Sequence, residues 1–270
     1  AYSVYSYPSS YKDIGTFTIY AGLNPSQLSN VSDLIVKEID DMKKETFESV
    51  LKKLMVRHNP HRIFSDFLTL VVCAFSLGEQ EEKYLSVIRQ YNKQEANLFA
   101  EALGKLVIEM TGDGTGLVDV LGSFFQEHIS FGHNGQFFSP QPVCDMLACI
   151  SGPVKEGSNI LDPACGSGRM LLAAAKNNRN ALFYGADVDE NCVKMTVLNL
   201  YLNCLYGEVA WMNSLTNKFY VAWEIVPTMK GIPRINQLRE DESFIHLKFP
   251  EINNHHNFKK PAQQQLDFQL

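Results

Sequence analysis

The stretch Leu161-Asp162-Pro163-Ala164-Cys165-Gly166-Ser167-Gly168-Arg169-Met170-Leu171 ends a short apolar run on a carboxylate, turns through two glycines and then starts a helical pattern. Glycines at such a turn let the backbone approach a bound nucleoside closely. A purely structural strand-to-helix turn would use the same glycines, so Gly166 and Gly168 alone decide little. Asp187 closes the next apolar run, in Tyr184-Gly185-Ala186-Asp187-Val188-Asp189. An acidic residue about twenty positions beyond the glycines can bind ribose hydroxyls. A dinucleotide-binding turn, by contrast, wants a third glycine where this chain has Leu171, and it accepts a pyrophosphate. Asp162 at the strand end suits an ammonium or a sulfonium instead. The turn asks for a cationic nucleoside.

Strand and helix patterns alternate around these residues. Asn159–Asp162 reads as a strand, Met170–Lys176 as a helix and Ala181–Asp187 as a strand. Asn191–Asn203 follows as a helix and Glu208–Met212 as a strand. Such alternation implies βαβ units and a parallel sheet. Upstream, Val143, Met146, Leu147 and Ile150 mark the apolar face of one amphipathic helix. Residues 31–127 read as an all-helical layer, with Asn59-Pro60 breaking one helix and Gly112–Gly116 ending another. In residues 1–30, Thr16–Tyr20 alternates like a strand and Asn24-Pro25-Ser26 marks a turn. Beyond Trp223 the pattern fades. Ser243–Leu247 reads as one more strand, and the Asn-, His- and Gln-rich tail reads as loose.

Composition narrows the classes. The 270 residues carry a formal net charge of −6 and are 45% apolar and 20% charged, ordinary values for a globular protein. The acidic balance argues against a general electrostatic grip on nucleic acid, though not against a local basic patch. No apolar run has the roughly 18–20 residues that cross a bilayer, and the first residues lack the features of a signal peptide. Residue 1 is Ala rather than Met, so a processed or incomplete chain is expected. The six cysteines show no C-x-x-C spacing and sit mostly among apolar neighbours. A reducing, cytoplasmic setting is expected, with no metal site. His58, His61, His255 and His256 read as solvated surface.

Asp162–Gly168 resembles the S-adenosylmethionine-binding motif of adenine-N6 DNA methyltransferases, particularly type I modification subunits. Gly135-Gln136-Phe137-Phe138-Ser139-Pro140-Gln141-Pro142-Val143 is similar to the segment those enzymes place just before the cofactor fold. Asn213-Ser214-Leu215, after the third strand, resembles a further motif of theirs. The resemblance implies a Rossmann-like α/β fold behind a helical N-terminal domain that contacts DNA and other subunits. It implies that Phe138 and Ser139 cover the methionine end of the cofactor and that Asp162 faces its amino group. Gly166 and Gly168 would pass beneath it, Asp187 would take the ribose hydroxyls and Asn213 would read the adenine amino group. Gln136 and Ala164 complete the implied cofactor-binding set. Asn213 also reads as a turn residue, Asp189 as a helix cap and Phe137 as core.

One departure bears on catalysis. The family accepts the adenine amine with Asn or Asp, Pro-Pro and an aromatic residue, and this chain has no such tetrapeptide. His58-Asn59-Pro60-His61 lies in the wrong region, and Glu224-Ile225-Val226-Pro227 has the wrong chemistry. The doubly wound fold is therefore expected to be incomplete, and the catalytic residues stay unassigned. A second resemblance covers the front of the chain. Tyr5–Pro8 and Tyr11–Gly22, with the helix after them, look like a strand-helix unit of pitrilysin-type metallopeptidases, without their H-x-x-E-H motif.

The expected organisation is a strand-helix segment of separate origin at 1–44, helices at 45–130, a cofactor-binding α/β domain at 131–226 and a partly irregular extension at 227–270. The expected function is methyl transfer from S-adenosylmethionine to adenine N6 in DNA, alongside specificity and restriction subunits of a type I-like system. The alternatives are a non-catalytic cofactor- or DNA-binding subunit and, further off, a metallopeptidase-derived interaction fragment.

Overall fold

A computed structural model describes residues 4–10, 15–21, 45–112, 114, 116–130, 138–152, 155, 157–228 and 233–247, the first two stretches as backbone only. Strands β1 (Val4–Ser10) and β2 (Gly15–Ala21) form an antiparallel hairpin that is a sheet of its own. The expected helix beginning near Val31 lies outside the described residues up to position 44.

Helices α1 (Phe47–Met55), α2 (Pro60–Phe75), α3 (Glu81–Ile88) and α4 (Lys93–Thr111) follow. Their starts are locally encoded. Asn59 accepts from the Arg62 N–H with Pro60 at the first helical position, and Asn92 forms a reciprocal capping box with Glu95. Helix α5 (Val120–Phe125) runs into a π-helical turn, Gln126–Ser130. Phe47, Phe64, Phe67 and Phe124 pack tilted, edge-to-face or stacked at the centre of this layer.

After α6 (Gln141–Ile150), the chain alternates through β3 (Asn159–Asp162), α7 (Arg169–Ala175), β4 (Leu182–Asp187), α8 (Glu190–Leu202) and β5 (Tyr206–Asn213). Strands β3, β4 and β5 are parallel, and β6 (Lys218–Val226) and β7 (Arg234–Leu238) extend the sheet antiparallel, in the order β3-β4-β5-β6-β7. Among the described residues, β3 is an edge strand. A complete doubly wound sheet adds further strands on that side, so this is one half of such a fold, preceded by helices.

Helix α8 explains how the two regions join. It is buried from Asn191 to Tyr201, on every face, because α2 covers one side and β4 to β6 cover the other. The helical layer and the sheet therefore share one apolar cluster, from Phe47 through Leu198 to Trp223 and Ile235. Lys194, itself buried, donates to Thr69 Oγ1 at 2.9 Å and pairs with Glu190 at 2.6 Å, which ties α8 to α2.

Several expectations change. Residues 244–247 form a helical turn, not a strand. The buried Glu208 carboxylate receives the Ser243 hydroxyl at 2.5 Å and the Phe244 N–H at 2.9 Å, which fixes the start of that turn. The sheet also continues past position 226, since β7 pairs with β6. Helix α6 turns its expected core face outward. Val143, Met146, Leu147 and Ile150 are exposed, and the small residues Cys144 and Ala148 pack on Ala173 of α7. His58 is half-buried rather than solvated, 3.0 Å from Glu95 and edge-on to Tyr91. Among the described residues, no helix is long and apolar enough to cross a membrane.

Among the described residues, β1 and β2 pair only with each other. A chain beginning at Glu45 is therefore expected to keep a single cooperative thermal transition, shifted by no more than about 3 °C, roughly 1 kcal/mol. Loss of cooperativity in that shortened chain would place the front segment in the main core.

Candidate functional site

The site lies at the carboxyl ends of β3 and β4, where open α/β sheets bind ligands. Beyond β3, Asp162 Oδ1 accepts from the Ala164 N–H at 3.1 Å, and the Cys165 N–H reaches Ala186 O on β4 at 2.9 Å. The loop then passes Gly166 and Gly168 with φ of +54° and +83°. Glycine is required for more than these angles. A Cβ on Gly168 would meet Thr196 Cγ2 at 2.9 Å, and one on Gly166 would meet the Phe138 ring at 3.1 Å.

Asp187 holds this loop from the neighbouring strand. Its Oδ2 accepts from the Gly166 N–H and its Oδ1 from the Asp189 N–H, both at 2.9 Å. Burial pushes the carboxyls of Asp162 and Asp187 above the usual aspartate range. Their two strand ends thus present partly desolvated carboxylates on either side of the glycine loop. Phe138, Ser139, Asp162, Ala164 and Gly166 line a small open cleft of about 50 Å³.

A buried polar network lies behind the loop. The Asp119 carboxylate, 3% exposed, accepts four hydrogen bonds. Gly122 N–H at 2.8 Å and Asn199 Nδ2 at 2.9 Å reach Oδ1, while Ser167 Oγ at 2.6 Å and Arg169 Nε at 2.8 Å reach Oδ2. Arg169 also donates to Ser139 O at 3.0 Å and to Ser123 Oγ at 3.3 Å. Its guanidinium thereby anchors the 138–139 segment, and Phe138 packs edge-on against Phe125.

The sequence-derived residues are distributed unevenly. Phe138, Ser139, Asp162, Ala164 and Gly166 meet in the cleft, with Gly168 behind them and Asp187 joined through Gly166. Asn213 ends β5, where its Oδ1 accepts from the Leu215 and Thr216 N–H groups, both at 3.0 Å. Asp189 caps α8. Gln136 and Phe137 lie outside the described residues. Sequence reasoning missed Asp119, Asn199 and the role of Arg169. The available signals were an Asp immediately before the apolar start of α5 and a lone arginine on the otherwise apolar α7.

Residues 120–226 match the model of the N-6 DNA Methylase family, which takes in α5, the glycine loop and the sheet through β6. That match takes in 107 of the 270 residues. Residues 1–52 match a different one, the Peptidase M16 inactive domain. The chain is 23% identical over 171 residues to the type II restriction enzyme and methyltransferase RM.BcgI of Heyndrickxia coagulans, covering 53% of this chain and 26% of that protein. It is 39% identical over 73 residues to the ribosomal protein L11 methyltransferase of Caldanaerobacter subterraneus, covering 27% of this chain and 23% of that one. Among solved structures, the methyltransferase subunit of a type I restriction-modification system from Streptococcus thermophilus aligns with a TM-score of 0.30 at 20% identity. That alignment covers 54% of this chain and 37% of the other. The chain spans about a quarter of the length of the curated methyltransferases it matches.

The matched segment depends on Asp119, which lies just before its start. Asp119→Ala is expected to destabilise the protein by about 3–5 kcal/mol, because it leaves the Arg169 guanidinium buried without its counter-charge. Urea denaturation of the variant and the parent checks this.

Proposed function

We propose that this chain binds S-adenosylmethionine in the cleft after Asp162 and serves adenine-N6 methylation of DNA in a cytoplasmic restriction-modification system. The observation that carries this reading is the pair of partly desolvated carboxylates, Asp162 and Asp187, flanking a glycine loop at adjacent strand ends. The donor set fits the cofactor. Carboxylates suit its ammonium and ribose hydroxyls, and the Phe138 ring lies against Gly166 where the backbone must stay bare. The Arg169 nitrogens are engaged with Asp119, Ser139 and Ser123, so the cleft offers little to a pyrophosphate.

When bound, the cofactor supplies an electrophilic methyl group on sulfur. In this reading Asp162 faces the ammonium, Asp187 takes the ribose hydroxyls while holding Gly166, and Ser139 and Phe138 close the methionine end. Gln136, Ala164, Gly168 and Asn213 complete the contacts by family likeness. DNA is the proposed substrate, and the partners are specificity and restriction subunits.

The acceptor side is where these residues depart from the family pattern. An aromatic amine is a weak nucleophile, and the family counters this with oriented acceptors for the amine protons. No Asn/Asp-Pro-Pro-aromatic sequence occurs in the 270 residues. Losing such contacts costs on the order of 10² or more in rate. The second reading is a non-catalytic cofactor- or DNA-binding subunit of such a system. The expected outcome is cofactor binding by calorimetry with little or no labelled methyl transfer to adenine-rich duplex DNA. Efficient turnover by the isolated chain would overturn the subunit reading, and absence of cofactor binding would overturn both.

The pH dependence follows from the carboxylates. Each attracts the cationic cofactor only when ionised, and burial raises both above the ordinary value of 3.8. Affinity should be flat above the raised range and fall as pH drops through it, starting at a higher pH than an exposed aspartate would give. Asp187→Ala should weaken binding on the order of ten-fold or more and flatten that fall. Calorimetric titrations across pH check both effects.

A further inference from the structure

The β5–β6 ribbon carries a second group of side chains that the cofactor site does not use. Trp211 on β5 and Tyr220 on β6 stack with ring centroids 4.6 Å apart and planes 23° from parallel. Lys218 Nζ stands 5.1 Å from the centre of the Tyr220 ring. The register explains why Tyr220 faces outward. Trp211 pairs with Val221 and Met212 with Phe219, so Tyr220 is the extra residue of a β-bulge. Bulges re-aim side chains and recur beside functional sites.

The stack is fastened to the rim of the cofactor cleft. Trp211 Nε1 donates to Val188 O at 2.9 Å, and Val188 directly follows Asp187, which holds the glycine loop. The stack is open to solvent on the Tyr220 side, where that residue is 43% exposed, and Val188, whose carbonyl takes the Trp211 N–H, is 63% exposed. A cross-strand aromatic pair that only stabilised the ribbon would need neither the bulge nor this exposure.

We propose that Tyr220, backed by Trp211, is a stacking platform for an unpaired base of a DNA strand, with Lys218 swinging from the ring to the adjoining phosphate. Aromatic rings stack on any base, and a neighbouring cation tracks the backbone, so the platform holds single-stranded DNA with little sequence preference. It rests on the proposed reading only in taking DNA as the ligand. Its place beside Asp187 puts the held strand next to the methyl donor's cleft.

The chain provides its own probe. It has two tryptophans, and Trp223 is fully buried, so Trp211 alone can report a stacked base. Titrating the full chain with an oligothymidylate about ten nucleotides long should quench tryptophan fluorescence saturably. Trp211→Phe should abolish the quenching while labelled-oligonucleotide anisotropy still reports binding. Tyr220→Ala and Tyr220→Leu should each weaken binding on the order of ten-fold, and Tyr220→Phe should restore it. Tyr220→Leu keeps an apolar side chain on the ribbon and so separates stacking from folding. Lys218→Gln should lower the salt dependence by roughly one phosphate contact. No quenching at saturation, or equal affinity for Tyr220→Leu and the parent, overturns the platform. Cofactor calorimetry on the same protein separates the two ideas. Cofactor binding without quenching removes the platform alone, and quenching without cofactor binding removes the methyltransferase reading alone.

Discussion

Everything near the cleft depends on one buried carboxylate and on the requirement that its charge be met. Asp119 receives donors from the first turn of α5, from Ser167 in the glycine loop, from Arg169 at the start of α7 and from Asn199 on α8. Taking an ion out of water costs several kcal/mol unless charge and hydrogen bonds replace the lost solvation. Each donor is therefore held where Asp119 needs it, and four separate pieces of chain are fixed around one point. Arg169 carries the constraint onward to Ser139 O, so the cleft wall behind Phe138 takes its position from a charge the ligand never touches. The network continues along α8, where Asn203 donates to Asn199 O and receives the Leu117 N–H.

The cleft works under an opposing demand. Asp162 and Asp187 must stay available to a ligand while also shaping the loop that holds it. Each carboxylate oxygen that bonds a backbone N–H keeps a further lone pair, so one side chain can do both. Incomplete solvation raises the cost of their charge, and a cationic ligand removes that cost on binding. Stability and affinity are thereby coupled through the same two groups.

The sheet is organised around its unfinished side. Among the described residues, strand β3 stands at the edge, and the chain returns after β5 through an antiparallel ribbon instead of a third crossover helix. That return brings Trp211, Tyr220 and Lys218 to the same end of the sheet as Asp187. The front hairpin is a sheet of its own, and residues 1–52 and 120–226 match two different family models.

The sequence by itself determined what is local. The glycine loop, the carboxylates ending β3 and β4, and the alternation from β3 to β5 were legible because turn angles, caps and hydrophobic periods act over a few residues. Tertiary structure decided what depends on distant partners. Periodicity marked Val143, Met146, Leu147 and Ile150 as one face of α6, but it could not say which face packs. Ala173 on α7 favours the close approach of Cys144 and Ala148, and so the larger face turns outward. Residues 243–247 carry a strand-like pattern, yet Glu208, more than thirty positions away, caps them into a helical turn. The Asp119 network spans up to eighty positions, and no local propensity records where a buried charge will find its donors.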